Sequence, residues 1–137
     1  MNSEEAENLF GKGARFHHVG IGVRSIEKSV NGLKIFEDPI QHVRVAFTSI
    51  AGLPVELIES ASNESPIDRS LSKGMKLMHL CYEVPSLNTA IEVSKPHGFR
   101  AFSKAEPAVA FEMRKILWLF HPLFGLFELV ENPCNQK

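Results

Sequence analysis

Four side chains in this sequence are of the right type, and in the right order, to hold a divalent cation: His18, Glu56, His79 and Glu128. His18 opens the stretch His18-Val19-Gly20-Ile21-Gly22-Val23. His79 opens His79-Leu80-Cys81-Tyr82-Glu83-Val84, and apolar residues coincide when one stretch is laid on the other. Glu56 and Glu128 each interrupt an apolar segment, Pro54-Val55-Glu56-Leu57-Ile58-Glu59 and Leu126-Phe127-Glu128-Leu129-Val130-Glu131. An isolated strand histidine is ordinarily a hydrogen-bonded core or edge residue. A carboxylate among aliphatic neighbours is rarer, because burying it without a partner is costly. One imidazole and one carboxylate per half make a mixed N2O2 set, suited to an ion that takes five or six ligands; nickel, cobalt, manganese, iron(II) and zinc are the candidates. Two open positions would accept neighbouring oxygens of an α-hydroxyketone or of a thioester enolate, and the ion would offset the charge left as a proton departs the carbon between them. Glu56 and Glu128 are also candidate catalytic bases, as is a nearby acid outside the ligand set.

The elements that must position these groups follow from periodicity. From Phe16 to Val23 the pattern alternates: Val19, Ile21 and Val23 share one strand face, and His18, Gly20 and Gly22 the other. The glycines leave space beside the histidine. Ser25 caps a helix running to about Asn31, with Ile26, Val30 and Leu33 at helical spacing. A short strand is expected over Lys34 to Glu37. A hairpin follows, built from Val43, Val45 and Phe47 and from Pro54 to Glu59, with Ala51-Gly52 near its turn. Ser65-Pro66 reads as a helix entry that ends at Lys73-Gly74. The second half repeats the plan: a strand over Leu77–Val84, a helix over Leu87–Ser94 closed by Lys95-Pro96-His97-Gly98, a short strand near Phe99–Phe102, a loop from Glu106 to about Met113, and a hairpin of Arg114–Phe120 with Leu126–Val130. The expected class is α+β, with two βαβββ modules (about 16–72 and 76–131) forming a curved mixed sheet and helices on its outer face. Residues 1–15 are expected to be a flexible N-terminal arm and 132–137 a tail. Strand parity puts all four candidate ligands on the inner face. Arg44 is expected to face the pocket, Arg114 to meet an anionic group, and Phe111 and Trp118 to wall it.

At 137 residues and 44% hydrophobic content the chain supports one domain with a full core. A net charge of -1, with lysine and arginine scattered, argues against nucleic acid. Cys81 and Cys134 have no CxxC spacing, which fits a reducing cytoplasm. The acidic start lacks the apolar core of a secretory signal, and the run Ile116–Leu129 is broken by His121, Pro122 and Gly125, so no membrane span is expected.

Together, Phe16-His17-His18-Val19-Gly20-Ile21-Gly22-Val23, Glu64-Ser65-Pro66-Ile67, the His79–Val84 echo and Gly125-Leu126-Phe127-Glu128-Leu129 resemble the vicinal oxygen chelate superfamily, and within it the glyoxalase I and methylmalonyl-CoA epimerase-like proteins. The resemblance implies His18, Glu56, His79 and Glu128 as metal ligands. It also implies a lyase or isomerase that removes an α-proton from a small carbonyl or thioester substrate, and a homodimer. Two features differ from the epimerases: the 29–43 connection is shorter, and the segment before the last hairpin, 107–115, is apolar and bulky where they are glycine-rich. The bulky segment motivates the alternative, a non-catalytic small-molecule binding protein of the bleomycin-resistance type.

Overall fold

In a computed structural model that describes residues 1–62 and 77–133, the polypeptide forms two compact units. One, the first unit, comprises residues 18–79 and 108–113. The other comprises 1–17, 80–107 and 114–137. These units are not the consecutive halves expected from the repeat, since 108–113 groups with first-half strands and 1–17 with second-half ones. The helix expected after Ser65 and the Glu64–Ile67 turn lie outside the described residues, as does Cys134.

In the first unit, β1 (Arg15–Gly22, from His18 onward), β2 (Phe36–Asp38), β3 (Val43–Ile50) and β4 (Leu53–Ser60) pair in the order β2-β3-β4-β1. β4 runs parallel to β1, and the other pairs are antiparallel. The β3–β4 hairpin turns on Ala51 and Gly52, with φ of 52° and 82°. Positive φ at both central residues gives the turn the twist its strands need, and it fixes Phe47 opposite Glu56 and Arg44 opposite Glu59. On one face of these strands Ala46, Val55 and Leu57 pack with Ile26, Ile21, Val23, Val30 and Leu33. On the other, Val43, Val45 and Ile58 pack with Phe36 and Ala110. The first helix proper, which we label α2, covers only Ile26–Ser29, capped by the Ser25 hydroxyl. It was expected to reach Asn31. Val30 is already extended and Gly32 has a φ of 78°, so Val30 and Leu33 reach the core from a turn. β2 lies slightly later than expected and has three residues.

The second unit opens with a helix, α1 (Ser3–Glu7), held by a reciprocal cap between Asn2 and Glu5. Phe10 is buried among Tyr82, Phe99 and Phe127, with ring centroids 5.2–5.7 Å apart. The flexible arm expected for residues 1–15 is therefore anchored at Phe10, because an aromatic ring removes far more apolar surface from water than the polar residues around it suggest. β5 (Leu77–Val84, from Leu80 onward), β6 (Arg100–Ala101), β8 (Arg114–His121) and β9 (Gly125–Glu131) pair as β5-β9-β8-β6. β7 (Glu106–Ala108) adds to β8. β9 is parallel to β5 and antiparallel to β8. Helix α3 (Leu87–Ser94), capped by Ser86, buries Leu87 and Ala90 against Val84, Phe99, Leu117, Leu119, Phe127 and Leu129. The segment expected to be a loop from Glu106 to Met113 is instead β7 followed by a 3-10 turn over Val109–Phe111. The class is α+β, and each unit has a mixed sheet with one parallel pair.

Candidate metal centre

Strand register puts His18, Glu56 and His79 together in the first unit. In β1 and β4, Gly20 lies opposite Glu56, so His18 and Glu56 leave the same sheet face two residues apart. His18 Nε2 is 3.1 Å from His79 Nε2, and Glu56 Oε1 lies 3.5 Å from the first and 3.7 Å from the second. The ligand atoms of the three groups all lie within 4.8 Å of one another. His18 is 1% exposed, His79 3% and Glu56 5%, so the two imidazoles and a carboxylate face each other with little water between them. Gly20 is required for this approach, because a Cβ there would overlap the His79 imidazole.

Aromatic rings close one side of the site. Phe111 lies nearly parallel to the His18 ring, centroids 5.9 Å apart, and Phe47 meets the same ring edge-on at 5.5 Å. The two phenyl rings touch each other at 5.4 Å. Phe47 was not singled out from the sequence, although counting back from the Ala51-Gly52 turn places it directly across from Glu56.

In the second unit Glu128 sits in the middle of β9 and is buried. Its partner on β5 is Cys81, two residues beyond His79, and its partner on β8 is Trp118. This repeats the first half: Glu56 faces Gly20, two residues beyond His18, and Phe47. The Trp118 backbone N–H donates to Ser103 Oγ.

The two arginines expected at the pocket are committed elsewhere. Arg44 lies on the opposite sheet face from Glu56, alternating with Val43 and Val45. It is bonded there to Glu59 at 2.8 Å and to Glu27 at 2.9 Å, with Glu37 at 3.6 Å. Its placement in the pocket is thus corrected: the hairpin register sets Arg44 beside Glu59, and the hydrogen bonds it donates to Glu59 and then Glu27 raise its already high pKa further. Glu59 also accepts the Ile26 N–H and so ties this cluster to α2. Arg114 shares a strand face with Trp118 but donates to Glu83 Oε2 at 3.0 Å and to the Glu131 carbonyl at 2.8 Å. Arg15 binds the other Glu83 oxygen at 2.8 Å. Burial pushes the Glu83 carboxyl up, but the hydrogen bonds from Arg15 and Arg114 outweigh it and hold the pKa below the usual range.

His121 is buried at the end of β8. Its Nδ1 accepts the N–H groups of Leu123 and Phe124, and its Nε2 donates to the His97 carbonyl, so it fastens the β8–β9 turn.

A fold of this kind, with two imidazoles and a carboxylate converging on its strands, defines a class. Residues 17–118 match the glyoxalase/bleomycin resistance protein/dioxygenase superfamily, and the chain belongs to that superfamily. The match includes His18, Glu56 and His79. An ethylmalonyl-CoA/methylmalonyl-CoA epimerase of Cereibacter sphaeroides is 28% identical over 119 residues, covering 79% of this chain and 88% of the relative. A hypothetical protein of Bacillus halodurans, known from its crystal structure, is 30% identical with a TM-score of 0.68, over 88% of this chain and 96% of that one. A methylmalonyl-CoA epimerase structure from Mycobacterium tuberculosis shares the fold with a TM-score of 0.70 at 22% identity, over 85% of this chain and 86% of that one. Among the described residues no helix is long and apolar enough to cross a membrane.

Proposed function

We propose that the protein is a divalent-metal-dependent lyase or isomerase that removes an α-proton from a small carbonyl or thioester substrate. The observation that carries this reading is the convergence of His18 Nε2, His79 Nε2 and Glu56 Oε1 in a buried site. The donor set fits an ion: two imidazole nitrogens about 2.0–2.1 Å from one centre and at right angles would be about 3 Å apart, and these are 3.1 Å apart. We assign Glu128 as the fourth ligand, because it stands to His79 as Glu56 stands to His18. A divalent ion bound there would supply Lewis acidity toward the substrate's oxygens.

The residues of the chain do the rest. His18 and His79 would hold such an ion through their ring nitrogens, and Glu56 and Glu128 would offset its charge. In an epimerisation one of Glu56 and Glu128 would take the α-proton while the other, protonated at the outset, delivers one to the opposite face of the same carbon; in an isomerisation a single carboxylate would carry the proton to the neighbouring carbon. Phe47 and Phe111 keep water from one side of the His18 ring, which strengthens the electrostatics of the site. The epimerase relatives support an isomerase over other chemistries. The aromatic cover on His18 also favours a second reading, capture of an apolar ligand without turnover.

The test is metal analysis of the purified protein, followed by exchange of substrate α-protons in deuterated water on a panel of thioesters and ketoaldehydes. About one ion per chain and metal-dependent exchange are expected, and His79→Ala should lose both. A metal-free protein whose ligand affinity His79→Ala leaves unchanged would contradict the proposal.

A further inference from the structure

The apolar segment before the last hairpin is built to hold one ring against the site. Ala108 leads from β7 into the 3-10 turn Val109–Phe111, which is closed by Glu112 N–H to the Val109 carbonyl (3.2 Å) and Met113 N–H to the Ala108 carbonyl (2.9 Å). Closing it places two successive non-glycine residues, Glu112 and Met113, in the left-handed region, at φ of 55° and 68°. Each such residue costs about 1–2 kcal/mol, so packing elsewhere must offset the strain. That packing is local: Ala110 sits on Val43, Val45 and Ile58, and Phe111, 3% exposed, lies on His18 and against Phe47. These contacts fill the strand face from which Glu56 projects. The two arginines expected to meet a substrate are engaged by carboxylates instead, Arg44 by Glu59 and Glu27 and Arg114 by Glu83.

We infer that Phe111, seated on the His18 ring by the 108–113 turn, is a specificity-determining residue that confines the site to compact carbonyl compounds carrying no nucleotide or peptide tail. The inference rests on the metal-centred reading above and narrows it: an α-hydroxyketone or small ketoaldehyde is the expected substrate, and an acyl-coenzyme A is expected to bind well only when the Phe111 ring is removed.

The experiment uses the full chain loaded with zinc and two probes sharing one chelating head, acetohydroxamate and a coenzyme A thioether bearing the same hydroxamate, with binding measured by calorimetry. The wild-type protein should prefer acetohydroxamate by about tenfold or more. Phe111→Ala should reduce that preference by about tenfold, the order by which a pocket-lining group discriminates, and Phe111→Leu should move it less in the same direction. Phe111→Leu serves as the test if the alanine variant does not fold. A wild-type preference for the coenzyme A probe, or a ratio unchanged in the folded variants, overturns this inference and leaves the metal reading standing. A protein that takes up none of zinc, nickel, cobalt, manganese and iron(II) overturns both.

Discussion

The two halves of the chain use the same register and build it with unequal weight. In the first, Gly20 and Phe47 flank Glu56; in the second, Cys81 and Trp118 flank Glu128. The first-half helix is one turn long and packs on an aliphatic core of Ile26, Ala46, Val55 and Leu57, with Val43, Val45 and Ile58 on the opposite sheet face. The second-half helix has eight residues, extended by a 3-10 turn, over a core that includes Phe10, Phe99 and Phe127. The difference teaches that placement of the candidate ligands depends on strand pairing, which both halves keep, while the bulky aromatic core residues Phe10, Phe99 and Phe127 belong to the second unit. Gly20 shows where that economy is needed, since any side chain there would meet His79.

The largest effect that sharpens this contrast should come from the cores. Phe99→Ala should cost about 4 kcal/mol and Ile26→Ala about 3 kcal/mol, both by cavity formation in fully buried sites, as read from urea unfolding. A larger loss at Ile26 would break the comparison.

Next is pH. The Glu83 carboxyl is held below its usual range by Arg15 and Arg114. Its contribution is therefore present above the unfolded carboxylate pKa of about 4.3 and is lost as pH falls through the folded value. The melting temperature should drop on acidification, and Glu83→Gln should flatten that limb while costing about 1–2 kcal/mol at neutral pH. An unchanged acid limb would show that the Arg15–Glu83–Arg114 cluster contributes nothing to stability.

The smallest effect lies in the first-half hairpin. Ala51 occupies a left-handed position that asparagine tolerates better. Ala51→Asn should raise stability by about 0.5 kcal/mol, and a loss would mean that the turn differs from the one described.

Much of this architecture was legible in the residues. The repeat His18–Val23 and His79–Val84, and the acids at 56 and 128, give strand parity directly, and the β5, α3, β8 and β9 boundaries follow from alternation and from the Ser86 and Gly98 caps. What was hidden depends on tertiary partners. Phe10 lies in a polar context, and only the rings of Tyr82, Phe99 and Phe127 explain its burial. Arg44 was assigned to the wrong face because its alternation with Val43 and Val45 does not say which face those valines cover; the partner register with Glu59 does. The turn at 108–113 carries no glycine at its positive-φ positions and so gave no local signal.

The account stands on one cation held by an imidazole and a carboxylate from each half. The most direct measurement is zinc or nickel titration of the metal-stripped protein and of His18→Ala, Glu56→Gln, His79→Ala and Glu128→Gln. One ion per chain is predicted, with affinity reduced at least about tenfold in every variant. Wild-type protein that binds no ion, or Glu128→Gln that binds as tightly as wild type, would contradict it.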